Sequence, residues 1–269
     1  MLSTANYQPV LRAPAYVFSD SHLGFATTDV ERNMLRFLRH LRGRAGSVVI
    51  NGDLFEFWFE WKHVMPRRGF RILAALADLV DDGIPVLMVA GNHDCWGGEI
   101  LRDDVGIDFR TDPWEGSLAG WRARVEHGDG LRGREDRGYR RLRAVLRNRL
   151  SIRLFRLIHP DLGSALANRS SHTSRTYQAR DGGAGLRAAA AARLSSPGTP
   201  LDLLIYGHSH VPELTRVGNA VYANAGSWLD QPTFLRITPE RIELQRWDPQ
   251  LDEGVNLNTL DRVSEKALP

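Results

Sequence analysis

The stretch Val86-Leu87-Met88-Val89-Ala90-Gly91-Asn92-His93-Asp94 decides the fold. Its apolar half, bounded by Pro85 and Gly91, has the length and composition of a strand buried on both faces. Glycine then allows a sharp turn, and three polar side chains emerge where the strand meets solvent. Open α/β sheets bind ligands at the carboxyl ends of their strands. Asn92, His93 and Asp94 are therefore candidates for chemistry, and the rest of the chain has to be asked whether other strands end the same way.

They do. Upstream, Ala15–Ser19 is β-rich and runs into Asp20-Ser21-His22, and Ser47–Ile50 runs into Asn51-Gly52-Asp53. Between them Val30, Met34, Leu35, Phe37, Leu38 and Leu41 recur at helical spacing before Gly43. Residues 67–82 carry a second such pattern that closes near Gly83. Strand–helix–strand–helix–strand implies a parallel sheet with right-handed crossovers. Downstream, residues 121–126 alternate as a strand does and end in His127-Gly128-Asp129, and residues 201–206 end in Gly207-His208-Ser209-His210. Residues 135–195 read as helical. Short strands near 213–217 and 220–223 precede a hairpin of 233–237 and 241–247, and the tail from Asp248 lacks periodicity and reads as loose or packed on the surface. Asp181-Gly182-Gly183-Ala184-Gly185 lacks the context of a phosphate cradle and reads as a flexible joint.

Composition narrows the class. A chain of 269 residues buries a sizeable core, and 42% hydrophobic with 25% charged residues is that of a globular protein. No apolar run reaches the roughly 20 residues of a membrane span, and residues 1–14 lack a signal-peptide pattern, so the cytoplasm is the expected location. Cys95 is the only cysteine, which excludes an intrachain disulfide and a cysteine-type zinc site. Lys62 and Lys266 are the only lysines, so arginines must be judged by position and not by number.

Five strand ends thus carry Asp20 and His22, Asp53, Asn92 to Asp94, His127, and His208 with His210. One Asp-x-His alone would be weak evidence, but the topology gathers all five at one edge. Carboxylate, imidazole and amide oxygen without thiolate suit Mn, Fe or Zn. The set is too large for one ion and suits a pair about 3.5–4 Å apart sharing a carboxylate.

Asp-x-His, Gly-Asp, Gly-Asn-His-Asp, His-Gly-Asp and Gly-His-x-His, in this order over residues 20–210, resemble the calcineurin-like metallophosphoesterase superfamily. The resemblance implies an α/β sandwich of two mixed β-sheets flanked by helices. It implies two divalent ions, one held by Asp20, His22 and His210, the other by Asn92, His127 and His208, with Asp53 bridging. His93 would protonate the leaving oxygen or stabilise transition-state charge, and the Glu56 carboxylate would orient His93. Asp94 reads as structural.

A narrower resemblance rests on Gly52-Asp53-Leu54-Phe55-Glu56-Phe57-Trp58 and on Tyr139, Arg143, Arg147-Asn148, Leu154-Phe155, Pro160, Gly163 and Leu166-Ala167. These resemble the UDP-2,3-diacylglucosamine hydrolase branch, which implies one domain over residues 1–269 with a helical lid inserted at about 130–197. It also implies manganese, substrate contacts from Asn92, Tyr139, Arg143 and Arg147, and cleavage of a UDP-linked lipid sugar in lipid A biosynthesis. Peripheral contact with the cytoplasmic face of the inner membrane is the matching partner expectation. Tyr139, Leu142, Leu146, Leu150, Leu154 and Leu157 form one apolar stripe beside ten arginines between Arg132 and Arg156, against Glu135 and Asp136. Basic and apolar faces together suit a lid over acyl chains and an anionic headgroup. No aromatic platform accompanies the arginines, which argues against nucleic acid. The branch's best-known members read Asn-Arg-Asp where this chain reads Asn92-His93-Asp94, so a nucleotide or other small phosphoester stays open as substrate. A non-catalytic scaffold of the same fold is the third possibility.

Overall fold

Side chains alternate across each strand, and in this chain both sides of the central strands are apolar. In the computed structural model, which describes residues 10–133, 136–166, 181–198 and 200–263, that alternation builds four layers. The chain runs β1 (Ala15–Phe18), α1 (Thr28–Leu41), β2 (Ser47–Asn51), α2 (Phe70–Asp81), β3 (Val86–Val89), β4 (Asp108–Arg110), β5 (Trp114–Leu118) and β6 (Trp121–Val125). Helices α3 (Arg137–Leu146), α4 (Arg149–Phe155) and α5 (Ala184–Leu194) follow. The chain closes with β7 (Leu203–Tyr206), β8 (Glu213–Val217), β9 (Ala220–Asn224), β10 (Thr233–Ile237), β11 (Arg241–Asp248) and β12 (Glu253–Asp261).

One sheet has the order β12-β11-β10-β1-β2-β3-β4, the other β5-β6-β7-β9-β8. Val17, Val49, Leu87 and Leu235 of the first face Val125, Leu203, Ile205 and Val221 of the second, forming the inner core. The opposite faces of β1 to β3, with Phe18, Ile50 and Met88, are covered by Phe37 and Leu38 of α1 and Leu76 and Leu79 of α2. Leu186 and Ala190 of α5 cover Leu204, Tyr206 and Tyr222 on the far side of the second sheet. Strands β1 to β4 are parallel, as are β6, β7 and β9. All their carboxyl ends therefore meet one edge of the sandwich.

Four expectations need correction. The tail is not loose: β12 pairs antiparallel with β11 over eight registered residue pairs, with a bulge at Leu244/Gln245. As an edge strand it needs little apolar periodicity, so its pairing left no trace in the pattern. Strands β4 and β5 leave little trace in the pattern, β4 because it has three residues and β5 because Glu115, Gly116 and Ser117 separate its two apolar ends. The apolar stripe of residues 139–157 is broken, because Arg147 ends α3 and the Asn148 side chain caps α4 through Leu150 N at 2.8 Å. The glycine-rich stretch is a helix start, with the Asp181 carboxylate accepting from Gly183 N and Gly185 N at 3.0 and 2.9 Å. The segment read as one lid accordingly divides: α3 and α4 lie over the strand ends, while α5 packs on the body.

Candidate metal centre

The turns that follow β1, β2, β3, β6 and β7 are held together by main-chain bonds before any ligand is considered. Asp53 Oδ1 accepts from His93 N at 2.9 Å, Asp94 Oδ1 and Oδ2 accept from Gly91 N and Leu54 N at 2.8 Å, and His93 O accepts from Trp58 N at 3.1 Å. Asp94 thus clasps the second turn to the third. A side chain at Gly91 would collide with the Asp53 carboxylate, and one at Gly52, whose φ is +80°, with the His127 ring. Both glycines are required by close approach. Asp20, His22, Asp53, His208 and His210 have φ between 45° and 63°, left-handed backbone that non-glycine residues rarely adopt. Each such residue costs on the order of 1–3 kcal/mol, and such strain clusters at functional sites.

Asp20, His22 and His210 place ligand atoms within 4.8 Å of one another, and so do Asp53, His127 and His208. His22, Asp53 and His93 form a third group on the same criterion. The imidazole nitrogens have assigned directions. Glu56 Oε2 lies 3.0 Å from His22 Nδ1, Asp230 Oδ2 lies 2.9 Å from His210 Nδ1, and the Asn51 carbonyl lies 2.8 Å from His127 Nδ1. Oxygens of these kinds accept, so each Nδ1 carries the proton and each Nε2 presents a lone pair inward. His22 Nε2 and His210 Nε2 then face each other at 3.3 Å with Asp20 Oδ1 at 3.4 Å from the latter, and His127 Nε2 faces Asp53 Oδ2 at 3.1 Å. Lone pairs converging in this way suit a cation, a proton or a metal ion, held between them.

Further atoms point to the same need. Asn92 Oδ1, His93 Nε2 and His208 Nδ1 are buried without a hydrogen-bond partner among the described residues. Buried polar atoms are otherwise almost always paired. The donor set is oxygen and imidazole nitrogen, so it fits divalent Mn, Fe or Zn. Burial would raise Asp53, but His127 and His93 outweigh it and hold the carboxylate well below its ordinary range. Burial opposes protonation of His210, yet Asp20 and Asp230 raise it to about 10. Burial and the neighbouring His127 push His208 down to about 4. Burial and the Asp53 charge push Asp94 up to about 6, against its two N–H bonds.

All seven residues expected as metal ligands thus lie at one edge, and His93 lies beside them. Glu56 acts differently from expectation. Its carboxylate sits on His22, while its main-chain carbonyl accepts from His93 Nδ1 at 2.8 Å. Tyr139, Arg143 and Arg147 converge on the buried Asp129. Other arginines of the local excess serve structure too: Arg132 pairs with Asp136, and Arg140 donates to the carbonyls of Gly130 and Gly133. Sequence reasoning missed Asp230 and the Asn51 carbonyl, because neither carries a motif. Asp129 was visible in His127-Gly128-Asp129 but had no assigned partner.

Beside Asn92 and His93 opens a cavity of about 330 Å³. Glu56, Tyr139 and Ser151 are its other polar lining residues, and Phe57, Phe59, Trp96, Leu142, Leu146, Ile152, Phe155 and Leu166 its apolar ones. Trp96 Nε1 donates to Leu146 O at 2.9 Å and Trp61 Nε1 to Ile158 O at 3.0 Å, joining lid to body. Outside the cavity, Leu150, Leu154 and Leu157 are exposed. No helix among the described residues is long and apolar enough to cross a membrane.

The family model for calcineurin-like phosphoesterase matches residues 13–212. The chain is 30% identical over 259 residues to UDP-2,3-diacylglucosamine hydrolase of Pseudomonas syringae pv. syringae, covering 93% of this chain and 96% of that protein. It is 32% identical over 169 residues to the hydrolase of the same name from Porphyromonas gingivalis, covering 61% of this chain and 64% of that one. Among solved structures, Vacuolar Protein Sorting 29 from Cryptosporidium parvum is similar with a TM-score of 0.46 and 12% identity, covering 92% of this chain and 97% of that chain.

Proposed function

The chain belongs to the calcineurin-like phosphoesterase family, in its UDP-2,3-diacylglucosamine hydrolase-like branch, and is a metal-dependent phosphoester hydrolase; from that premise we propose that it hydrolyses UDP-2,3-diacylglucosamine to UMP and 2,3-diacylglucosamine 1-phosphate. The observation that carries this reading is the apolar cavity between α3, α4 and the aromatic residues Phe57, Phe59 and Trp96, whose lining includes Asn92 and His93. A nucleotide or small diester has no use for such a wall, whereas acyl chains gain about 25 cal/mol for each Å² removed from water.

In this reading Asp20, His22 and His210 would hold one ion and Asn92, His127 and His208 the other, with Asp53 available to both. Manganese is the metal we favour over iron and zinc. When bound, the cations supply Lewis-acid polarisation of phosphoryl oxygen and a lowered pKa for the attacking water. Glu56 and Asp230 fix the tautomers of His22 and His210. His93, with Nδ1 held by the Glu56 carbonyl, aims Nε2 at the substrate and, when protonated there, donates to the departing phosphate oxygen. Tyr139 lines the cavity, and its hydroxyl, with Arg143 and Arg147, is turned onto Asp129. The exposed Leu150, Leu154 and Leu157 alternate with Arg149, Arg153 and Arg156, a pattern suited to peripheral contact with an anionic membrane.

The second reading, a diesterase for nucleotides or other small phosphoesters, is favoured by His93 standing where the branch's best-known members carry arginine. One experiment decides between them. With added manganese, the purified protein should turn over UDP-2,3-diacylglucosamine far faster than bis(4-nitrophenyl) phosphate. Good activity on the diester with none on the lipid would overturn the first reading in favour of the second.

A further inference from the structure

We propose that Asp129 is the positioning residue that seats the lid helix on the metal-bearing edge, and that it thereby sets the preference for acylated over small substrates. Asp129 follows His127 by two residues and is 4% exposed. Its Oδ2 accepts from Tyr139 Oη at 2.7 Å and faces Arg143 Nη1 at 3.4 Å and Arg147 Nη2 at 3.7 Å, and its main-chain carbonyl accepts from Arg143 Nη1 at 3.0 Å. Tyr139, Arg143 and Arg147 are spaced by four, so they share one face of α3 and its C-terminal cap. One carboxylate collects that whole face.

The rest of α3 gives it little alternative. No residue of the helix is buried, so apolar packing does not fix its rotation. Its other ties are also polar, from Arg140 to Gly130 O and Gly133 O, from Trp96 Nε1 to Leu146 O and from Arg147 Nη1 of its cap to Thr111 O. Leu142 and Leu146, on the turns beside Arg143, form the cavity wall. Rotation of α3 about Asp129 therefore decides whether these leucines line the cavity or leave it. A substrate that fills the cavity depends on Asp129, and one that touches only the strand ends does not.

This inference rests on the proposed function, and its test separates the two. Asp129→Asn keeps the shape but removes the charge, and Tyr139→Phe removes a single hydroxyl from the same contact. In the full-length metal-loaded protein, amide exchange over residues 137–146 should speed up in both variants, more in Asp129→Asn. The ratio of kcat/KM for UDP-2,3-diacylglucosamine to that for bis(4-nitrophenyl) phosphate should fall by about tenfold or more, mainly through KM. Unchanged exchange overturns the proposal. Equal losses on both substrates, or loss of bound manganese, also overturn it, because Asp129 would then act through His127. If the wild-type protein leaves the lipid untouched, the functional reading fails, and amide exchange alone still decides whether Asp129 seats the helix.

Discussion

The carboxylate of Glu56 lies 3.0 Å from Nδ1 of His22, with both side chains buried. That contact directs His22 Nε2 toward Asp20 and His210, while the Glu56 carbonyl independently holds His93. One residue therefore serves two histidines through two different groups. Glu56→Ala removes only the carboxylate. Manganese affinity should fall by about 10–100-fold, the usual effect of losing such an orienting partner. Calorimetric titration checks this, and unchanged affinity with a shifted pH–rate profile would return Glu56 to His93.

Asp53→Ala should abolish turnover and metal retention together, because its carboxylate faces His127 and lies within 4.8 Å of ligand atoms of His208, His22 and His93. Inductively coupled plasma mass spectrometry on the dialysed variant reads the metal directly. Two ions retained with full activity would sink the bridging assignment.

His93→Ala should lower kcat by about 10²–10⁴-fold, the range for a positioned acid or base. Metal content should stay at the wild-type value. The position of His93 within 4.8 Å of His22 and Asp53 makes the alternative concrete: if the variant loses metal, His93 is a ligand.

Ile152→Trp fills the cavity beneath the lid. Hydrolysis of the acylated sugar nucleotide should fall by about 10–200-fold relative to a small diester, as for other shape mismatches in apolar pockets. Parallel kinetics on both substrates test this. Equal sensitivity would detach the cavity from substrate selection.

Asp202 offers a pH-dependent stability test away from the site. It accepts from Arg122 N and Nε at 3.1 Å and from Arg262 Nη2 at 3.1 Å. Burial would raise its pKa, but the Arg122 bonds prevail and lower it. A depressed carboxylate contributes stability that is present above its unfolded value of about 3.9 and lost as pH falls through the lower folded value. Asp202→Asn should cost under about 1 kcal/mol at pH 7, given its solvent screening. The difference in urea midpoint between wild type and variant should shrink toward pH 3, and a constant difference would rule out the linkage.

The metal-binding edge was legible in advance because local sequence and topology agree. Each candidate ligand directly follows a strand, and parallel strands with crossover connections bring their ends to one side. The supporting partners were not legible. Asp230 reaches His210 from a loop with no motif, and the Asn51 carbonyl that orients His127 is a backbone group that every residue possesses. Likewise β12 is held to β11 by main-chain bonds, which its side chains do not announce.

By itself the sequence determined the parallel core and which polar residues end its strands, because periodicity and turn residues act over a few neighbours, and the order of those motifs carried the resemblance to the phosphoesterases. Only the tertiary structure decided which group Nδ1 of His22, His127 and His210 faces. It also decided that Glu56 serves His22 by its carboxylate and His93 by its carbonyl, and that α3 is gathered onto Asp129. Those relations join residues distant in the chain, and hydrogen-bond direction is set by where folding places two atoms and not by the identity of either.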